Sequence, residues 1–146
     1  MSKPAIKLIF VNLPVADLPR AKAFYEAIGA RNEPRFTDET AACMVLSDTI
    51  HVMLLTHDKY RQFTTKEIAD TRKVSAALLC LSEESREGVD ATVGKALAAG
   101  ASESHPPQDY GFMYGRSFDD PDGHSWEVMW MDVEAFLKAT GQQAAA

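Results

Sequence analysis

The sequence has few cysteines, no excess of positive charge and no long hydrophobic stretch, and each absence excludes a class of protein. Its two cysteines, Cys43 and Cys80, lie in apolar, strand-like stretches, which is typical of buried, reduced thiols rather than of a disulfide framework. The formal net charge of -6, with no basic cluster, argues against nucleic-acid binding. No apolar run approaches the length of a membrane span, so we expect no membrane partner.

Several localisation and cofactor signals are also missing. Residues 1–4 lead directly into a strand-like segment instead of a secretory signal, which predicts a cytoplasmic protein. No phosphate-binding loop, nucleotide fingerprint or paired zinc-ligand spacing occurs. The 146 residues, of which 46% are apolar, are sufficient for one globular domain with a substantial core.

The chain contains two copies of one pattern. Each copy starts with an apolar strand, at residues 6–13 in the first and 74–81 in the second. An amphipathic helix follows, which ends at Gly29 in the first copy and at Gly100 in the second. About three short strand-like segments close each copy, so the order is strand, helix and three strands, repeated.

This repeat predicts the fold and the domain organisation. We expect one domain over residues 1–146, built of unit 5–57 and unit 74–132 with a linker at 58–73. Because one helix cannot cover both faces of a small sheet, the fold should be α+β, with two pseudo-symmetric βαβββ units. Their curved sheet would enclose a cleft, with the helices outside. An α+β sandwich with a fully packed centre would use the same pattern.

Glu127 is the residue that distinguishes the second copy from the first. It interrupts the last apolar run between Trp126 and Val128, and strand alternation places it on the opposite side, with Met129. A carboxylate on the wall of an apolar cleft is suited to act as a catalytic general base. The alternative is a cleft residue hydrogen-bonded to Tyr, Asn or Arg, without any reaction.

Four residues of the first copy are further candidates for contact with a ligand. His51 and Met53 share one strand face, and His51 could bind a metal together with Glu127 or be an ordinary hydrogen-bonded histidine. Phe10 and Asn12 share a face of the first strand. Asn12 offers a donor and an acceptor to a ligand, or it satisfies the backbone at the strand end.

The stretch 110–114 is rich in aromatic residues. Tyr110 and Tyr114 could line a ligand pocket, because apolar walls with a few polar groups are typical of small-molecule sites, or they could form core or dimer contacts. After this stretch, Asp120 and Asp122 are typical turn residues. We expect His124, which follows this turn, to be exposed.

The order and spacing of several motifs resemble a known superfamily, the vicinal oxygen chelate proteins, which comprise glyoxalases, bleomycin resistance proteins and extradiol dioxygenases. The similarity extends over residues 5–132 and includes the ending D-P-D-G-H-S-W-E. More narrowly, the chain is similar to a branch described as predicted lactoylglutathione lyases. The motifs shared with that branch are FVNLPVAD at 10–17, FTDETAACM at 36–44, VMLLT at 52–56 and YGRSFD at 114–119.

The resemblance implies a divalent metal held by four side chains, one from the first and one from the last strand of each unit. These positions match Phe10, Met53, a residue near Ala76, and Glu127. Only Glu127 can bind such a cation, since phenylalanine, alanine and methionine offer it no suitable donor. This departure argues against a metal cofactor and against metal-dependent glyoxalase activity.

The resemblance also implies a small-molecule ligand and a homodimer. The first functional hypothesis is a lyase or isomerase in which Glu127 removes a proton and a metal or a polar cleft group stabilises the oxyanion. The alternative is a metal-free protein that binds and sequesters a small molecule, as resistance proteins of the superfamily do. A third reading is an interaction module whose cleft is filled by side chains.

Overall fold

The computed structural model describes residues 3–142 and contains two compact units, with the boundary between Asp70 and Thr71. This boundary lies within the segment 58–73. Among the helices of the described residues, none is long and apolar enough to cross a membrane.

The first unit has the predicted order of one strand, one helix and three strands. Its elements are β1 (Ile9–Val15), α1 (Leu18–Ala27), β2 (Arg31–Glu33), β3 (Ala41–Val45) and β4 (Ile50–Thr56), with a 3-10 turn at Pro34–Phe36 and a short helix α2 (His57–Arg61) at its end. The sheet order is β1-β4-β3-β2, in which β1 and β4 are parallel and the other pairs antiparallel.

Helix α1 forms where the sequence predicts it. The Asp17 side chain accepts a hydrogen bond from the Arg20 backbone N–H at 3.0 Å, which satisfies one free amide of the first turn. Ala21, Phe24 and Tyr25 are buried against the sheet, as their helical spacing predicts. The apolar stripe therefore fixes which face of the first sheet α1 covers.

The second unit repeats this architecture and adds a C-terminal helix. Its elements are β5 (Leu79–Ser82), α3 (Arg86–Ala98), β6 (Gln108–Asp109), β7 (Met113–Asp119), β8 (Ser125–Met131) and α4 (Val133–Ala139). The sheet order is β5-β8-β7-β6, with β5 parallel to β8 and the remaining pairs antiparallel. The α+β fold with two repeated βαβββ units is thus confirmed.

Helix α3 covers one face of the second sheet. The Ser85 hydroxyl caps it by accepting a hydrogen bond from the Gly88 backbone N–H at 3.0 Å. Val89, Val93 and Ala96 are buried, and α3 packs on β7 and β8. Leu97, which follows Ala96 directly, is 36% exposed and lies at the edge of this buried stripe.

Two strand boundaries differ from the predictions. The first strand covers 9–15 instead of 6–13, and β5 begins only at Leu79, whereas a strand was expected over 74–81. In β5, the four residues 79–82 pair with β8. Residues 74–78 are exposed and lie outside the strand, because apolar composition alone does not supply a pairing partner.

Candidate functional site

Glu127 lies on the face of the second sheet that α3 leaves uncovered. Its neighbours in β8, Trp126 and Val128, are buried on the α3 side, while Glu127 itself is half-buried. This is the alternation that the sequence predicts for a strand with one covered face. The carboxylate therefore projects from the middle of β8 on the uncovered side.

Cys80 and Ser117 flank Glu127 on the two neighbouring strands. The register pairs Cys80 with Glu127 across β5 and β8, and Ser117 with Glu127 across β7 and β8. Paired residues project from the same face of a sheet, so the three polar side chains form one row. The Ser117 and Ser104 hydroxyls are hydrogen-bonded at 2.9 Å, which attaches the segment after α3 to this row.

A cavity of about 150 Å³ lies beside this row and belongs entirely to the second unit. Its lining residues are Cys80, His105, Gln108, Met113, Gly115, Arg116, Glu127, Val128 and Met129. The cavity thus combines two methionine side chains with one carboxylate, one thiol, one imidazole and one amide. This mixture of apolar wall and few polar groups is typical of small-molecule sites.

The electrostatics of the cavity depend on Glu127 and Cys80. Within residues 3–142, no hydrogen bond or ion pair engages the Glu127 carboxylate, so the alternative in which Tyr, Asn or Arg binds it is not observed. Although the Cys80 residue is exposed, partial desolvation by its neighbours, and secondarily the charge of Glu127, raise the pKa of its thiol. The thiol is therefore held in its protonated, weakly nucleophilic form.

Cys80 differs from the expectation of two buried thiols. Cys43 is buried, but Cys80 is exposed. The reason is its position: β5 is an edge strand, and Cys80 projects from the side of the sheet that α3 does not cover.

Tyr110 and Tyr114 are not brought to Glu127. Tyr114 pairs with Trp130 on the α3 side of the sheet, and its hydroxyl donates a hydrogen bond to Asp90 Oδ1 at 2.6 Å. This hydrogen bond to a carboxylate raises the pKa of Tyr114. Tyr110 is 58% exposed, and it is Met113, not either tyrosine, that lines the cavity.

The four candidates of the first unit lie next to one another. The register pairs Phe10 with His51 and Asn12 with Met53, so all four project from one face of the first sheet. The Phe10 ring, which is 48% exposed, stacks on His51 with a centroid distance of 4.4 Å. The His51 Nδ1 atom is buried and has no hydrogen-bond partner within residues 3–142. Their contact with a ligand stays a prediction.

His124 is buried, contrary to the expectation of an exposed residue. Asp120 organises the turn before it, since its Oδ1 accepts hydrogen bonds from the backbone N–H groups of Asp122 at 3.0 Å and His124 at 2.9 Å. The Asp120 and Asp122 turn is confirmed. Gly123 brings this turn against Thr71, whose carbonyl oxygen would lie 2.8 Å from an added Cβ.

The comparison with known protein families gives one decisive result. The family model described as the Glyoxalase/Bleomycin resistance protein/Dioxygenase superfamily matches residues 7–128. The chain belongs to this superfamily. No curated protein sequence matches the chain significantly.

Solved structures of the superfamily share this fold. A family enzyme from Burkholderia phytofirmans PsJN is 20% identical with a TM-score of 0.71, over 86% of this chain and 99% of the other. A lactoylglutathione lyase from Agrobacterium tumefaciens is 18% identical with a TM-score of 0.63, over 88% and 96%. The fosfomycin resistance protein FosX from Mesorhizobium loti is 17% identical with a TM-score of 0.66, over 92% and 99%.

The residues of this superfamily member do not fit the divalent metal that the resemblance implies. Of the four expected positions, Phe10, Met53 and Ala76 supply no oxygen or imidazole donor, and Ala76 lies outside β5. Among residues 3–142, no three His, Cys, Asp or Glu side chains are close enough to hold a metal ion. Glu127 alone does not form such a site.

Most of the cavity residues were not predicted from the sequence, among them Cys80, His105 and Gln108. Cys80 could have been found from the sequence. If the first and last strands of the unit are assumed to pair in parallel, Cys80 lies next to Glu127 on the same face of the sheet. His105 and Gln108 belong to an irregular segment that returns to the sheet through the two-residue strand β6. No local pattern indicates that return, since it depends on pairing with β7.

Proposed function

We propose that this superfamily member binds a small molecule in the cavity beside Glu127, and that the Glu127 carboxylate accepts a hydrogen bond from the ligand. The supporting observation is a half-buried carboxylate that lines a cavity and has no hydrogen-bond partner within residues 3–142. This carboxylate is available to an N–H or O–H donor of a ligand, and hydrogen bonds to charged acceptors are stronger than those to neutral ones. No divalent metal is needed for this role, and the donor set does not favour one.

The size of the cavity limits the ligand. Its volume of about 150 Å³ corresponds to roughly five water molecules and is below the 300 Å³ or more that is typical of drug-sized ligands. We therefore expect a ligand, or the inserted end of a ligand, with only a few non-hydrogen atoms. Met113 and Met129 provide an adaptable apolar surface for its carbon atoms.

The charge of the cavity favours neutral or cationic ligands. Glu127 is acidic, and Arg116, the lining guanidinium, is already bound to Asp90 and Glu103. An anionic ligand would meet the Glu127 carboxylate without a free guanidinium to balance its charge. Alcohols, amides and small amines are thus the expected class, and carboxylates and phosphates are the disfavoured one.

A fragment titration tests this proposal. A panel of small alcohols, amides and amines, with carboxylates of the same size, is titrated into labelled protein while backbone NMR shifts are followed. We expect the largest shifts at Gly115, Glu127 and Met129, and an affinity loss of about tenfold or more for Glu127→Gln, since the lost hydrogen bond has a charged acceptor. The exposed Glu84→Gln is the matched control and should bind normally. Equal affinity of Glu127→Gln and wild type would contradict the proposal.

A second candidate function is a lyase or isomerase, and it is supported by the other polar groups of the cavity. Glu127 would remove a proton from the hydroxyl-bearing carbon next to a carbonyl and return it to the former carbonyl carbon, while the hydroxyl proton passes to the former carbonyl oxygen. The Gln108 amide, which lines the same cavity, would donate a hydrogen bond to the oxyanion that forms in between. The similar lactoylglutathione lyase from Agrobacterium tumefaciens supports a lyase reaction, and a small neutral α-hydroxyketone that fits the cavity is the probe.

This second candidate is distinguished by solvent exchange. In heavy water, proton removal by Glu127 should introduce deuterium into the product, and Glu127→Gln should abolish turnover while Glu84→Gln retains it. Binding of the probe without turnover by wild-type protein would exclude the reaction and leave the binding function.

Pairing with a second copy, which the resemblance predicts, is a further part of the proposal. Ile6, Leu8, Ile9 and Phe10 are exposed apolar residues close together in the chain, and such patches are typical of protein contacts. Light scattering should give twice the chain mass of 16.1 kDa, whereas a single-chain mass at micromolar concentration would contradict a dimer.

A further inference from the structure

We propose that Arg86 is a positioning residue that holds residues 103–112, here called the wall segment, in place as one side of the Glu127 cavity. His105 and Gln108 of this segment line the cavity. The proposal rests on the proposed binding function, because the position of this segment affects function only if the cavity binds a ligand. Arg86 itself is not a lining residue, so its effect must pass through the wall segment.

The attachment is formed by the Arg86 guanidinium and the Asp109 carboxylate. Arg86 Nη1 donates to Asp109 Oδ2 at 2.8 Å and Nη2 donates to Oδ1 at 2.6 Å, which is the bidentate geometry of a strong pair. Nη2 also donates to the Gly111 carbonyl at 3.2 Å, and the Gly111 N–H donates to Asp109 Oδ1 at 2.9 Å. Helix α3, which starts at Arg86, is thereby connected directly to the wall segment.

The cavity-lining part of the wall segment has few other attachments. Strand β6 comprises two residues, and Pro106 and Pro107 before it have no backbone N–H to donate. Side-chain hydrogen bonds of Glu103 and Ser104 precede His105, and Phe112 at the far end of the segment packs on Phe136 of α4. Asp109 is thus the side-chain anchor nearest to Gln108, and loss of the Arg86 contact should loosen the cavity-lining stretch there.

Aromatic rings fix the orientation of Arg86. Its guanidinium lies 5.1 Å from the centre of the Tyr114 ring and 5.5 Å from that of Trp130. Tyr114 is in turn hydrogen-bonded to Asp90 of α3. A lysine would keep the charge but would lose both the paired hydrogen bonds and the planar stacking, so Arg86→Lys should restore function only in part.

The test compares Arg86→Gln, Arg86→Lys and Asp109→Asn with wild type. Arg61→Gln, which removes an exposed ion pair with Asp58 in the first unit, is the matched control. Hydrogen exchange of the Tyr110 and Gly111 amides reports on the wall segment, because their N–H groups bind the Met113 carbonyl and the Asp109 carboxylate.

Two further measurements on the same variants report on the cavity itself. The rate at which iodoacetamide alkylates Cys80 reports on access to the cavity, while Cys43, which is 1% exposed, reports any global unfolding in the same sample. The third measurement is the affinity for the strongest alcohol, amide or amine fragment found with wild-type protein.

We expect Arg86→Gln and Asp109→Asn to speed hydrogen exchange at the Tyr110 and Gly111 amides. The rate of Cys80 alkylation and the fragment affinity should each change by about two- to fivefold, which is the size of effect expected from the loss of one exposed ion pair. The double variant should match either single variant, because both remove one contact. Arg86→Lys should lie between Arg86→Gln and wild type, and Arg61→Gln should equal wild type.

Two results would overturn the positioning role while leaving the binding function intact. One is unchanged exchange and alkylation in Arg86→Gln. The other is a wall segment that loosens while fragment affinity stays the same. If no fragment binds the wild-type protein, the proposed function fails, and exchange and alkylation rates still show whether Arg86 holds the segment.

Discussion

Cys80 and Glu127 are paired in register across the parallel strands β5 and β8, and both project into the same cavity. A thiol and a carboxylate therefore lie side by side. The two residues that pair with Glu127 are Cys80 and Ser117, and neither carries a positive charge. The Glu127 carboxylate disfavours the thiolate form of Cys80. Because a thiol is only a weak hydrogen-bond donor, the carboxylate stays available to a ligand donor.

The first prediction concerns this pair. Because the charge of Glu127 contributes to the raised pKa of Cys80, Glu127→Gln should lower that pKa and speed alkylation of Cys80 at mildly alkaline pH. The pH profile of iodoacetamide alkylation, read by mass spectrometry of the Cys80 peptide, measures the change. Since burial is the larger cause and remains, the pKa of Cys80 should stay above its ordinary value. A profile identical to those of wild type and Glu84→Gln would exclude the electrostatic coupling.

A second prediction concerns acid stability. The hydrogen bonds from Arg86 and, secondarily, from the Gly111 N–H lower the pKa of Asp109 from 3.8 to about 2. A lowered folded-state pKa means that the ionised form stabilises the fold above pH 3.8, and that this contribution is lost as the pH falls towards about 2. The stability difference between wild type and Asp109→Asn in urea should therefore be constant at neutral pH and shrink below pH 3.8. A difference that grows on acidification would contradict the assignment.

The third prediction compares two positions of α3. Val93 is fully buried, at 0% exposure, so Val93→Ala should cost about 2 kcal/mol in the free energy of unfolding, from lost burial and a residual cavity. Leu97→Ala, on the same helix, removes a side chain that is 36% exposed and should cost clearly less. Urea denaturation of both variants measures the two free energies. A larger loss for Leu97→Ala would mean that α3 is rotated relative to the sheet.

The fourth prediction concerns Gly123. Its φ is 93°, and an added Cβ would lie 2.8 Å from the Thr71 carbonyl oxygen, so Gly123→Ala combines backbone strain with a clash and should cost roughly 2 kcal/mol or more. Gly29→Ala is the control: φ is 110°, but no atom lies within 4 Å of the added Cβ. Thermal unfolding should show a clearly larger loss for Gly123→Ala. Equal losses would mean that the turn does not pack on Thr71.

These residues also show what the sequence could predict. The repeat, both major helices and the side of β8 that carries Glu127 follow from local periodicity, since Trp126 and Val128 identify the covered face. The same alternation separates Met113 from Tyr114, because adjacent residues of a strand point to opposite sides of the sheet. Met113 therefore lines the cavity, while Tyr114 contacts α3.

Other features depend on contacts between distant residues and lie beyond local patterns. His105 and Gln108 line the cavity in a segment that pairs through β6 with β7 and whose Asp109 binds Arg86, which lies 23 residues earlier in the chain. His124 is buried although its local sequence is that of an exposed turn, and this turn packs on Thr71. Neither relationship has a signature in residues adjacent in the chain.

The most direct test of the central claim is a crystal structure of the protein with the tightest-binding alcohol, amide or amine fragment. The account predicts that the fragment occupies the cavity between Met113 and Met129 and places a donor within hydrogen-bonding distance of the Glu127 carboxylate, at about 2.7–3.2 Å. A fragment bound elsewhere, or bound in the cavity with its donor turned away from Glu127, would contradict it.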